Sequence, residues 1–117
     1  MVHNVAVIET RCGDRRFPGL TAPPDAEMRW VVCVDPSPEE IEELASAFHL
    51  HPLVVEDIQT RDQRPKVDEY GDQLFVVLYA AHLGDGSEVS LREVQFLVGP
   101  DYLVSVSEGD IPVISGL

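Results

Sequence analysis

Positive charge is scarce in this chain. Lys and Arg number 8 against 21 Asp and Glu, which leaves a formal net charge of -13. Nucleic-acid recognition needs a basic footprint, so that class of partner is excluded. An anionic bilayer surface would repel such a chain. The surplus of acid suits solubility and a cationic partner, either a metal ion or a basic surface. Cysteine is nearly absent as well: Cys12 and Cys33 are the only two, with no Cys-x-x-Cys spacing. That argues against both a disulfide framework and a zinc cluster, and a reducing compartment is expected. Cys33 lies within an apolar run and is expected to be a small buried hydrophobe. No apolar run approaches the roughly 20 residues needed to span a bilayer, so no transmembrane helix is expected. The N-terminus lacks a basic, then apolar, then small-residue succession, and no secretory leader is expected.

Catalytic signatures are missing too. The histidines are His3, His49, His51 and His82. No serine stands in a Gly-x-Ser-x-Gly setting, and neither cysteine has a local catalytic signature. No Gly-rich loop leads into a helix, so nucleotide binding has no support. The chain is not expected to be an enzyme.

What is present fits one domain over residues 1–117, with an apolar fraction of 44% that suffices for a core. Val5 to Thr10 is β-branched enough for a strand. Gly13-Asp14 marks a turn, and Phe17 to Asp25, with Pro18, Pro23 and Pro24, is expected to be a surface loop. Arg29 to Asp35 is a strand whose continuous apolar residues imply burial on both faces. Ser37 is a good N-cap, Pro38 suits the first helical position, and Glu40 completes a capping box. Ile41, Leu44, Ala45 and Phe48 then form one apolar stripe, with Glu39, Glu42 and Glu43 mostly off it.

Pro52 stops that helix and opens a second through Thr60, with Leu53, Val54 and Ile58 available to the core. Lys66 to Tyr70 is expected to be a short strand and Gly71-Asp72 a tight turn. Gln73 to His82 is the central strand, apolar on both faces. A hairpin at 84–87 leads to a strand over Glu88 to Val98. There the apolar residues change phase between Leu91 and Val94, and a bulge near Arg92-Glu93 would restore one face. Tyr102 to Val106 is the last strand, and 108–117 an extended tail. The fold class is α/β of the mixed α+β kind: a mixed parallel/antiparallel sheet packed with helices, with two helices too few to cover both faces.

Two candidates for binding chemistry follow. His49-x-His51 could chelate a metal only if extended, which Pro52 and the helix end oppose; capping of the helix C-terminus by either histidine is the simpler role. Glu56-Asp57 are adjacent on a helix and point about 100° apart, so one can face a partner while the other faces solvent. Mg2+ is held by one or two carboxylates and retained waters, so one chain would supply half a site.

Three blocks in order, His51-Pro-Leu-Val-Val-Glu-Asp-Ile58, Gln63-Arg-Pro-Lys-Val-Asp-Glu-Tyr70 and Leu74-Phe-Val-Val-Leu78, together resemble the N-terminal cytoplasmic domain of the CorA family of magnesium and cobalt transporters. The strand at Trp30 to Asp35, the capped helix and the Val94 to Glu108 hairpin extend the resemblance over about 28–108. It implies a mixed sheet between helical layers, five copies in a funnel over a pore, and divalent ions held between neighbouring subunits on the cytoplasmic side of the membrane. The family's first acid pair corresponds to Glu56 and Asp57, with Asp57 the preferred sensing ligand for weakly bound Mg2+ or Co2+. The family's long helices, two membrane spans and Gly-Met-Asn motif are not in this sequence, so the chain is expected to be an excised domain or a truncated member. A free-standing module that docks a basic partner on its acidic helix 38–48 is the alternative.

Overall fold

The computed structural model describes residues 7–21, 28–84, 86 and 88–109. Val7–Cys12 (β1) and Arg15–Pro18 (β2) form a hairpin, and Arg29–Val34 (β3) leads into the helices Pro38–Phe48 (α1) and Pro52–Thr60 (α2). Lys66–Tyr70 (β4), Gln73–Leu83 (β5), Val89–Val98 (β6) and Tyr102–Ser107 (β7) follow. All seven strands join in one sheet of order β2-β1-β3-β7-β6-β5-β4. β3 and β7 run parallel, and every other pair is antiparallel. The sheet is therefore mixed, as expected, with its parallel seam at the centre.

α1 forms where local chemistry places it. The Ser37 hydroxyl accepts from the Glu40 N–H, the Glu40 carboxylate accepts from the Ser37 N–H, and Pro38 takes the first helical position. Ile41, Leu44 and Phe48 of the stripe are buried. They meet Val54 and Ile58 of α2 and one face of the sheet: Val31 and Cys33 of β3, Phe75 and Val77 of β5, Leu97 of β6 and Val104 and Val106 of β7. Each such side chain contributes roughly 1.5–3 kcal/mol by leaving water, so this layer is where the fold's stability lies.

The opposite face has no described helix over it. Val67, Val76, Phe96, Ser105 and Val32 align across five strands there. Near the parallel seam neighbouring side chains cover it: Val32, Val94 and Ser105 are buried, the Trp30 indole donates to the Ser105 hydroxyl at 3.0 Å, and the Arg11 guanidinium lies 5.1 Å from the Trp30 ring centroid. Toward β4 the face is open, with Leu78 50% and Val67 63% exposed. The strand expected to be central, β5, instead lies next to the β4 edge and is not apolar-buried on both faces. Phe75 and Val77 are inside while Leu74 and Leu78 remain accessible.

Four further local expectations differ from the structure. Leu53 is exposed; Val54 and Ile58 alone carry α2 into the core. Phe17 and Pro18 belong to β2, where Pro18 ends an edge strand and needs no ladder N–H. β6 has no bulge, because its pairing with β5 runs unbroken from Leu83↔Val89 to Leu74↔Val98. The phase change arises instead because Glu93 and Gln95 point toward the helices while Val94, Phe96 and Val98 point away. His49 and His51 are treated below. The expected first two residues of β1, the Pro23-Pro24 pair and the tail from 110 onward lie outside the described residues.

Candidate functional site

α2 begins at His51, whose Nδ1 accepts from the Leu53 N–H at 3.1 Å while its ring stacks on Tyr70 with centroids 4.6 Å apart. His51 therefore caps the helix that follows it. His49 sits at the end of α1 in the left-handed region (φ 52°), its backbone N–H donating to Ala45. The two histidines do not lie on an extended strand, since His49 is left-handed at the end of α1 and His51 caps α2, so the chelate geometry of alternate strand residues is not formed. An open cavity of about 650 Å³ lies beside them, lined among others by Arg29, Asp72, Gln73 and Tyr102. Gln73 is buried at its base and donates from its amide to the Phe48 carbonyl and the Tyr102 hydroxyl.

One and a half turns into α2, Glu56 is exposed and Asp57 half-buried, so the adjacent acids do diverge. Asp57 is not free. Its Oδ2 accepts from the Lys66 ammonium at 2.7 Å, and the same ammonium lies 3.1 Å from Asp68 Oδ2 and 5.7 Å from the Phe75 ring centroid. Lys66 and Asp68 are two residues apart on β4 and face the helix layer together. The hydrogen bond to Asp57 holds the Lys66 ammonium above its ordinary pKa; burial opposes this, and the Asp68 contact adds to it.

The backbone of Asp57 is also held. Its carbonyl accepts from Gln95 Nε2 at 3.1 Å. Gln95 in turn donates to Glu93, a buried carboxylate that accepts from the N–H groups of Asp62 (2.8 Å) and Gln63 (3.2 Å). Those groups belong to the loop after α2, where Arg61 and Asp62 both have φ above +50°. The Tyr79 hydroxyl donates to the Gln63 carbonyl. Burial, then the carboxylates of Glu93 and Asp62, push that phenol up and keep it a donor. Lys66, Asp68, Glu93 and Gln95 were not singled out in the sequence. The only signal for the last two was the phase change in β6.

As a cation site the residues fit only in part. Among the described residues no three His, Cys, Asp or Glu side chains converge in a way that could hold a metal ion. Glu56 and Asp57 offer two adjacent carboxylates, of which Asp57 is already paired with the Lys66 ammonium. Nucleophilic chemistry fares no better at Cys33: burial, with a smaller contribution from Glu40, pushes its thiol up to about 12. No described helix is long and apolar enough to cross a membrane.

The family model of the CorA-like Mg2+ transporter protein matches residues 25–117. A putative metal ion transporter of Bacillus subtilis, YfjQ, is 32% identical over 92 residues, covering 79% of this chain and 28% of its own length. The magnesium transporter ALR1 of Saccharomyces cerevisiae is 30% identical over 69 residues, 59% of this chain and 8% of its own. The chain thus spans less than a third of these relatives. The solved soluble domain of CorA from Methanocaldococcus jannaschii superposes with a TM-score of 0.77 at 18% identity, covering 99% of this chain and 46% of that one. The cytoplasmic domain of ZntB from Vibrio parahaemolyticus gives 0.68 at 13% identity, with coverages of 97% and 48%.

Proposed function

The chain belongs to the CorA-like Mg2+ transporter family, and from that premise we propose that it is the regulatory and assembly domain of a divalent-cation transporter, on the cytoplasmic side of the membrane. It carries no catalytic activity. Its role is to sense Mg2+ or Co2+ where neighbouring subunits, five in the assembled transporter, bring acidic faces together. Asp57 is the sensing ligand on this chain, with Glu56 beside it, and the partner carboxylates come from a neighbouring subunit.

The observation that supports this reading is the adjacent acid pair of α2, Glu56 exposed and Asp57 half-buried against Lys66, in a chain matched by the family model over residues 25–117. At a net charge of -13 adjacent copies repel. A bridging divalent cation offsets that repulsion and its loss loosens the contact. On this view the isolated chain is a monomer or weak dimer, and it binds Mg2+ no more tightly than about the millimolar range of weak carboxylate sites. Calorimetric titration tests this with the chain and with Asp57→Asn. Millimolar binding that the substitution removes is expected, whereas micromolar Mg2+ affinity in the isolated chain would refute a site split between subunits.

A second reading rests on α1, where Glu39, Glu42 and Glu43 are all exposed. They form an acidic face that could dock a basic partner without any cation. Loss of a partner on charge reversal at Glu42 and Glu43, indifferent to Mg2+, would favour it.

A further inference from the structure

We propose that Lys66 is a tethered cation that competes with divalent ions for Asp57, so that an ion is sensed only by displacing the ammonium from between Asp57 and Asp68. This deepens the sensing role proposed for Asp57 and rests on it.

The geometry is that of an occupied cation cradle. The ammonium lies between two carboxylates from different elements, at 2.7 Å and 3.1 Å, with the Phe75 ring beneath it. A hard divalent ion at Asp57 would lie beside this positive charge, and like charges at such range repel strongly outside bulk water. The two therefore exclude one another at Asp57 Oδ2. Displacement remains possible because the lysine stem is long and flexible and its side chain is still 26% exposed, against 18% for Asp57. Raised protonation of Lys66 makes the competition one of charge against charge, not a proton switch near neutral pH.

The exchange also has a structural consequence. The Lys66–Asp57 contact ties the β4 edge strand to α2, whereas the Asp57 backbone stays anchored to β6 through Gln95. A bound ion would release the first tie and leave the second. The ion would thus loosen β4 from α2 without moving the ligand that holds it.

The test is Mg2+ calorimetry and Mn2+ electron paramagnetic resonance on the full 117-residue chain, compared with Lys66→Met, Lys66→Arg, Asp57→Asn and the Lys66→Met/Asp57→Asn pair. Methionine keeps the apolar stem on Phe75 and removes the charge. Divalent affinity about tenfold tighter in Lys66→Met, unchanged in Lys66→Arg and abolished with Asp57→Asn is the expected result. Binding that needs Asp57 yet is no tighter in Lys66→Met overturns the competition and leaves the sensing role standing. Binding independent of Asp57 in every variant overturns both. Should Lys66→Met not fold, the unsubstituted chain decides the matter by NMR. The Lys66 ε-methylene resonance must shift with the Asp57 carboxyl as Mg2+ is added, and a stationary Lys66 signal at Asp57 saturation refutes the proposal.

Discussion

Replacing Glu93 by alanine should unfasten the loop behind the candidate site. The carboxylate accepts two backbone N–H groups, from Asp62 at 2.8 Å and Gln63 at 3.2 Å, and the Gln95 amide at 3.2 Å. Hydrogen bonds to a charged group contribute about 1.5–3 kcal/mol each, and a buried donor left without a partner costs about 1–3 kcal/mol. The loop is partly accessible, since Asp62 is exposed, so water can replace some of what is lost. Two backbone bonds at the low end of the range give a loss of about 3 kcal/mol. For a domain near 100 residues that lowers Tm by about 10–20 °C. Urea titration followed by circular dichroism measures the first quantity. Amide exchange at Asp62 and Gln63 locates the effect, because these N–H groups should lose protection while those of α1 keep theirs relative to global stability. A destabilisation under about 0.5 kcal/mol, the range of an ordinary surface substitution, would refute the assignment of Glu93 as the clasp of this loop.

Two further outcomes follow from burial. Cys33, with its thiol raised from 9.0 to about 12, should resist alkylation by iodoacetamide at pH 8 in the folded chain and react once urea unfolds it. Its contribution to stability is complete below pH 9.0 and drains away as pH rises toward about 12, since the unfolded thiol ionises first; denaturation midpoints across that window read the slope. On β5, Val77→Ser should cost about 2–4 kcal/mol because Val77 is fully buried, whereas Leu78→Ser, half exposed on the open face, should cost less than about 1 kcal/mol by the same urea titration.

Much of the architecture was legible in the sequence where the signal is local. The capping box at Ser37 and Glu40, the apolar stripe from Ile41 to Phe48 and the β4–β5 turn at Gly71 all stand where their residues place them. Leu53 departs from expectation because a helix of nine residues presents few apolar positions, and propensity does not tell which of them meets the sheet. The change of phase in β6 was visible, but its cause was not. An apolar pattern assumes one buried face, while β6 turns Glu93 and Gln95 inward beside Leu97 to serve α2 and the following loop.

The sequence by itself determined the order of the elements from β3 onward, the acid surplus and the adjacent pair Glu56-Asp57, since each is a property of neighbouring residues. Only the tertiary structure decided what Asp57 touches. Lys66 is nine residues away on another element, and Glu93 reaches Asp62 across 31 residues. Such contacts depend on strand register and on how α2 lies over the sheet, which no local periodicity encodes. A pair of acids that looked open in the chain is, in the fold, one exposed carboxylate and one already holding a cation of the protein's own.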